Sequence, residues 1–217
     1  SPTSVTIFFA ILPKIAALSV FIRFLYVPFI NLIDQWQTII IFVSIASMVF
    51  GAVAAIGQRN LKRLMAYSSI SHMGFALAGL AVGTNEGIQS SLIYISIYLL
   101  MNLAFFSCLF MLKRNDIYHE DLSDLSGLSK NHPILALCLL ISLFSLAGIP
   151  PLAGFFAKFY IFLAVIKEEM YFLAIVGLLS TVVAAFYYLR VIKTIYFDSQ
   201  TEKFDINHDI GLKISLL

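Results

Sequence analysis

Lys158 is a cationic side chain within an otherwise apolar segment, and it follows a motif that cannot continue a helix. The segment extends from Ile134 to Ile166 and is interrupted at Gly148-Ile149-Pro150-Pro151. A charge at membrane depth is costly, so such a lysine usually faces water or the interior of a helix bundle and marks an ion pathway. The chemistry expected of Lys158 is therefore reversible protonation.

Lys14 is a second cation of the same kind. It follows Pro13 in the middle of another apolar segment, whereas Asp34, Glu86 and Glu168 all lie in connections between segments. Desolvation without a carboxylate partner disfavours the charged form of a lysine, which suits a group that must release a proton. The alternative for both lysines is a structural pair with a carboxylate that only holds helices together.

His72 is a third candidate relay, because imidazole titrates near neutral pH. It lies among the hydroxyl-bearing residues of the segment Tyr67–Gly74, which could hold water. Tyr94, Tyr98 and Asn102 recur at helical spacing and could line the same path. A role in helix packing remains the alternative for all four side chains.

The motif at Gly148, Pro150 and Pro151 predicts a broken helix. Proline has no N–H and cannot continue a regular helix. One continuous helix over the whole segment would be about 50 Å long, whereas the hydrocarbon core is about 30 Å thick. Two half-helices joined near these residues are therefore expected.

The composition is typical of an all-α membrane protein. The 217 residues are 60% hydrophobic and 12% charged, and soluble domains carry about twice that charged fraction. A net charge of +2 gives no reason to expect a nucleic acid partner.

The lengths of the apolar runs predict a polytopic transmembrane helix bundle that forms a single domain. A further apolar stretch starts at 210, and the chain opens Ser1-Pro2-Thr3, so we expect a fragment of a longer or split subunit. The six predicted segments are 2–26, 36–56, 64–82, 88–112, 133–166 (broken near 148–151) and 170–196.

The basic residues alternate from one connection to the next. The connection around Lys62, the connection from Lys113 to Lys130 and the stretch after the sixth segment are basic, whereas the first and third connections contain no lysine or arginine. The positive-inside rule places the basic connections together on the cytoplasmic or matrix side. Glu86, in the third connection, is then expected on the opposite side.

Several kinds of active site lack their sequence signature. Cys108 and Cys138 lie singly in apolar segments, and the four histidines lack the spacing of metal ligands. The phosphate-binding, dinucleotide-binding and nucleophile-elbow motifs do not occur. No metal, no cofactor and no redox centre are therefore expected on this chain.

Three stretches resemble a known family. They are SPTSVT followed by Pro13-Lys14, QRNLKRLMAYSSISHMG at 58–74, and LAGIPPLAGFFAKFY at 146–160. They are similar to the antiporter-like subunits of respiratory complex I, over essentially the whole chain. The lysine at position 158, where another paralogue has glutamate, favours the subunit N branch, which is called subunit 2 in mitochondria.

The resemblance implies a fold of two inverted helix repeats, each with one broken helix, of which this chain would supply the second. It implies that Lys14 and Lys158 are relay lysines of a proton-translocating subunit of NADH:ubiquinone reductase. The NADH, FMN, iron–sulfur and quinone sites would lie on partner subunits. The partners would be the lipid bilayer, neighbouring membrane subunits including antiporter-like ones, and the remainder of its own subunit if that is split.

Two other functions remain open at this point. One is a subunit of a multisubunit cation/proton antiporter or a membrane-bound hydrogenase, which share the motif from Lys62 to Gly74. The other is a structural membrane scaffold. The location expected for the complex I function is the mitochondrial inner membrane or the bacterial plasma membrane.

Overall fold

The computed structural model describes residues 3–113, 121–199 and 205–206, with side chains from 12 to 112 and from 121 to 199. The predicted apolar stretch from 210 lies outside the described residues. The helices are α1 Thr3–Tyr26, α2 Ile33–Ile56, α3 Leu61–Ala81, α4 Asn85–Phe110, α5 Leu128–Asn131, α6 Pro133–Ala147, α7 Ala153–Lys167 and α8 Tyr171–Phe197.

The rest of the described structure is short. Single 3₁₀ turns occur at Ile30–Leu32 and Leu122–Leu125. Two-residue strands, β1 Leu112–Lys113 and β2 Asp205–Ile206, pair antiparallel. The prediction of a helical bundle is therefore confirmed.

Four of the described helices are long and apolar enough to cross a membrane, and they are α2 together with its preceding 3₁₀ turn, α3, α4 and α8. α6 and α7 have 15 residues each, which gives each a length of about 22 Å. Each of these two is too short to cross alone, so they fit the expectation of two half-helices. The interruption spans residues 148–152, one residue further than the predicted break.

Three helices begin three residues earlier than predicted. α2 begins at Ile33, α3 at Leu61 and α4 at Asn85, where apolar run length suggested 36, 64 and 88. Polar N-caps explain two of the differences: the Asn60 side chain accepts a hydrogen bond from the Arg63 N–H, and the Thr84 side chain accepts one from the Gly87 N–H. An N-cap stabilises a first turn that contains polar residues, and a count of apolar residues misses that turn.

α3 is the central element of the described bundle. It is the most buried of the four candidate spans and also the least apolar. It packs against α1, α2, α4, α7 and α8. Its polar side chains are therefore held among other helices, not in lipid.

The two ends of the bundle carry different connections. At the end that we name the inner end, the Leu122 N–H donates to the Arg59 carbonyl, and the Gly127 N–H donates to Thr194 of α8. At the opposite end, named the outer end, Lys167 of α7 forms an ion pair with Glu86 of α4. The connection around Arg59 and the connection from 121 to 131 therefore lie at one end, as the charge pattern predicted.

Arg190 joins α8 to the end of α2 at the inner end. Its two terminal nitrogens donate to the carbonyl oxygens of Ile56 and Gln58, both at 2.6 Å. These carbonyls lie at and just after the C-terminus of α2, where helix carbonyls lack intrahelical partners. A cation at that position also complements the negative end of the helix dipole.

The placement of the two ends can be tested with cysteines. Arg63→Cys at the inner end and Asn85→Cys at the outer end are both exposed positions, and Cys108 and Cys138 are first replaced by alanine. A membrane-impermeant thiol reagent should modify the outer position from outside and the inner position only after the membrane is opened, because the basic end faces inward. Equal modification of both positions in intact vesicles would contradict this topology.

Candidate functional site

The break between α6 and α7 begins with a glycine that ends α6. Gly148 has φ of +87°, in the left-handed region that glycine adopts without strain. Its N–H donates to the carbonyls of Phe144 and Ser145, and the Ile149 N–H donates to Phe144 as well. This is the Schellman arrangement, which satisfies the earlier carbonyls of the last helical turn.

Lys158 binds the two carbonyls that follow in the same turn. Its Nζ lies 2.9 Å from the Ala147 oxygen and 3.4 Å from the Leu146 oxygen. The carbonyl end of a helix carries partial negative charge, so it can hold an ammonium group without a carboxylate. The side chain is only 4% exposed, and its Nζ lies 5.3 Å from the centre of the Phe75 ring.

The start of α7 is held against the end of α6. The Gly154 N–H donates to the Ser145 hydroxyl at 3.0 Å. A Cβ at Gly154 would collide with the Ser145 carbonyl oxygen, so only glycine permits this approach. The contact fixes the first turn of α7 and, one turn later, the position of Lys158.

His72 of α3 lies between two tyrosine hydroxyls. Its Nδ1 is 2.6 Å from the Tyr94 hydroxyl on α4, and its Nε2 is 3.2 Å from the Tyr188 hydroxyl on α8. A neutral imidazole donates from one nitrogen and accepts at the other, so it can exchange a proton on either side. The ring also packs 4.9 Å from the Tyr98 ring, measured between centroids.

Lys14 reaches α3 from α1. Its Nζ donates to the hydroxyl of Ser69, and the side chain is half-buried. Among the residues that the structure describes, the hydrogen-bond partners of the two lysines are one hydroxyl and two carbonyl oxygens, not carboxylates.

One face of α3 brings the three candidate residues together. Ser69, His72 and Phe75 are three residues apart and therefore neighbours on that face. Lys14 contacts the first of them and Lys158 lies over the ring of the last. The six residue steps from Ser69 to Phe75 span about 9 Å of helix axis, and His72 lies midway.

Each lysine also lines a cavity. A cavity of about 260 Å³ adjoins Lys14 between α1 and α3, and one of about 350 Å³ adjoins Lys158 between α7 and α8. The other residues around them are mostly apolar, with Thr181 the one further polar side chain in the cavity beside Lys158.

Several contacts of the site lie outside what sequence reasoning identified. Tyr188 and Phe75 are partners of His72 and Lys158, but nothing in one sequence relates α8 to α3 at that position. Of the three polar residues spaced along α4, Tyr94 contacts His72, whereas the Asn102 amide donates to the Tyr98 carbonyl within its own helix. No group of three or more metal-ligating side chains occurs among the described residues.

The chain matches proteins of known family. The family model for "NADH:quinone oxidoreductase/Mrp antiporter, TM" matches residues 1–184. A protein named NADH-quinone oxidoreductase subunit N from Pelagibacter ubique is 76% identical over 216 residues, covering 100% of this chain and 46% of the relative. The chain thus spans about half the length of the curated relatives that it matches.

Solved structures share the fold. A chain of the Mrp complex from Dietzia superposes with a TM-score of 0.83 at 26% identity, covering 94% of this chain and 38% of the other. A chain of respiratory complex I from Thermus thermophilus superposes with a TM-score of 0.71 at 27% identity, covering 82% and 40%. The predicted antiporter-like membrane fold is confirmed by these matches.

The glycine at the break yields a stability prediction. Gly148→Ala should lower the temperature at which the full-length protein unfolds in detergent, because a left-handed backbone costs alanine about 1–2 kcal/mol. The added Cβ would also lie 3.0 Å from a carbon of the Lys158 side chain. Gly57→Ala is the matched control, since its Cβ would meet nothing within 4 Å. Equal unfolding temperatures for the two variants would contradict the prediction.

Proposed function

The chain belongs to the NADH:quinone oxidoreductase/Mrp antiporter transmembrane family, and on that basis we propose that it is part of the proton-translocating subunit N of NADH:quinone oxidoreductase. In this proposal Lys14, His72 and Lys158 carry protons through the membrane domain. Quinone reduction on other subunits supplies the energy.

The observation that carries the proposal is the row of groups along α3. The half-buried ammonium group of Lys14 and the buried one of Lys158 have no carboxylate partner among the described residues, and they lie on either side of an imidazole that contacts two hydroxyls. Each of these groups can bind and release a proton. A purely structural lysine is expected to have a carboxylate partner, so the contacts favour a relay over a scaffold.

The protons move between named atoms. Lys14 Nζ passes a proton by way of the Ser69 hydroxyl towards His72, with water completing the gap. His72 takes a proton at one ring nitrogen and releases another from the second, towards Tyr94 or Tyr188. Lys158 Nζ exchanges a proton with these hydroxyls through water, and the α6 carbonyls stabilise its ammonium form.

Repulsion between the lysines supplies the coupling. Two like charges in a medium of low dielectric constant repel strongly, so protonation of one lysine weakens proton binding at the other. The pair therefore titrates as a unit. A change of charge upstream then moves a proton onward.

In this proposal the cofactors and the quinone lie on other subunits. NADH, FMN, iron–sulfur clusters and quinone bind partner subunits, and neighbouring antiporter-like subunits contact this one in the membrane. The relatives with high identity are bacterial, which favours the bacterial plasma membrane. An Mrp-type antiporter is not favoured, because those relatives are named subunit N while the Mrp chain is only 26% identical.

Lys158→Ala and Lys158→Arg should both lower the proton-to-electron ratio of the assembled complex in sealed vesicles. Alanine removes the proton carrier, and the guanidinium of arginine stays protonated and cannot release its proton. Lys193→Ala is the matched control, because Lys193 is an exposed lysine near the inner end. A normal ratio in the arginine variant would remove Lys158 from the relay.

His72→Gln should also lower that ratio while the complex still assembles. Glutamine keeps one hydrogen-bond donor and one acceptor near Tyr94 and Tyr188 but cannot bind a proton. His72→Phe removes both hydrogen bonds as well as the proton carrier. If the ratio falls in His72→Phe but stays normal in His72→Gln, the imidazole serves only in packing and hydrogen bonding and carries no proton.

A further inference from the structure

We propose that α4 carries the outer branch of the proton pathway, and that the Glu86 carboxylate exchanges protons with water at the outer end. This inference rests on the proposed function and names where the relay meets the outer solution. It assigns a role to a carboxylate that otherwise has only a surface ion pair.

Polar side chains occur at every fourth position along α4. Residues four apart lie on the same face of a helix, so these side chains form one continuous stripe. All of them are buried except the first, which is exposed at the outer end. The members of this α4 stripe are Glu86, Ser90, Tyr94, Tyr98 and Asn102.

The stripe connects the site to the outer end. Tyr94, its middle member, contacts His72 Nδ1 at 2.6 Å. Glu86, its first member, lies in the first turn of α4. The stripe therefore runs from the imidazole of the relay to a solvent-exposed carboxylate within one helix.

A cavity opens at the outer part of the stripe. It has a volume of about 230 Å³ and is lined from α4 by Glu86, Gln89 and Ser90, and from α7 by Tyr160. A single water needs only about 10–15 Å³ of such space together with polar partners. Four side chains in this cavity carry polar groups, so it suits water better than the apolar cavities beside the two lysines.

The distance left between the cavity and the relay is short. Ser90 and Tyr94 are four residues apart, which is one helical turn or about 6 Å along the helix axis, and the Ser90 hydroxyl donates to the Gly87 carbonyl at 2.8 Å. The neighbouring Ser91 hydroxyl donates to the carbonyls of Ala76 and Gly87, both at 2.9 Å. Gly79 of α3 lies against these hydroxyls and leaves room for them, because a Cβ at this position would lie 3.0 Å from Ser90 Oγ.

Glu86 is in contact with the solution at the outer end. Its carboxylate lies 2.7 Å from Lys167 Nζ, and the two side chains are 59% and 52% exposed. Glu168 and Glu169 follow in the same connection. The carboxylate therefore remains in contact with the outer solution while it is paired, and such an exposed pair contributes little to stability.

Cysteine modification tests the outer cavity directly. In full-length protein whose native cysteines are replaced by alanine, Ser90→Cys should react with a membrane-impermeant thiol reagent applied from the outer side. Ser96→Cys is the matched control and should not react, because Ser96 is exposed on the same helix but does not line the cavity. Ile93→Cys, at another position that lines the cavity, should react too if the Ser90 variant fails to assemble. Absence of reaction at both cavity positions would overturn the proposal.

Glu86→Gln tests the carboxylate itself. It should slow proton delivery to the outer side of the assembled complex by about tenfold or more, since a positioned proton-transfer group contributes about 10²–10⁴-fold. Glu168→Gln is the matched control, an exposed carboxylate at the same end that does not line the cavity. An unchanged rate in Glu86→Gln would overturn the proposal, as would equal losses in both variants.

The outcome separates this inference from the proposed function. If the Lys158 variants lose translocation while Glu86→Gln keeps it, the relay stands and the outer branch lies elsewhere. If the Lys158 and Glu86 variants all translocate normally, the proposed function fails together with its outer branch.

Discussion

The bond between the Lys158 ammonium and the carbonyl end of α6 is the interaction on which the site depends. Backbone polar groups at membrane depth must be satisfied within the protein, because lipid offers no hydrogen bonds. A broken helix exposes several such groups at once. Here the Schellman turn satisfies the earlier carbonyls and Lys158 satisfies Leu146 and Ala147.

This arrangement lets a lysine remain in the bundle without a fixed counter-charge. A carboxylate partner would hold the ammonium group permanently, whereas a helix terminus supplies only about half an elementary charge. The carbonyls therefore stabilise the protonated form without preventing its loss. The broken helix and the buried lysine stabilise each other, because the free carbonyls and the ammonium group would each lack a partner in the membrane without the other.

α3 is the helix that connects Lys158 and the break to the rest of the bundle. It is the least apolar candidate span, and it is stable within a membrane because other helices surround it. Its polar face then has partners from α1, α4 and α8. A helix with the same sequence on the lipid-facing side would leave those groups unpaired at considerable cost.

The amino-acid sequence alone determined the membrane class, the helix break and the three relay candidates, because composition, proline chemistry and intramembrane charge are local properties. It also indicated which connections share an end, since the basic residues alternate. The tertiary structure decided the partners: that Lys158 binds α6 carbonyls, that Tyr188 reaches His72, and that the α4 stripe opens on a cavity at Glu86. Such contacts join residues as far as 116 positions apart, and only helix packing brings them together.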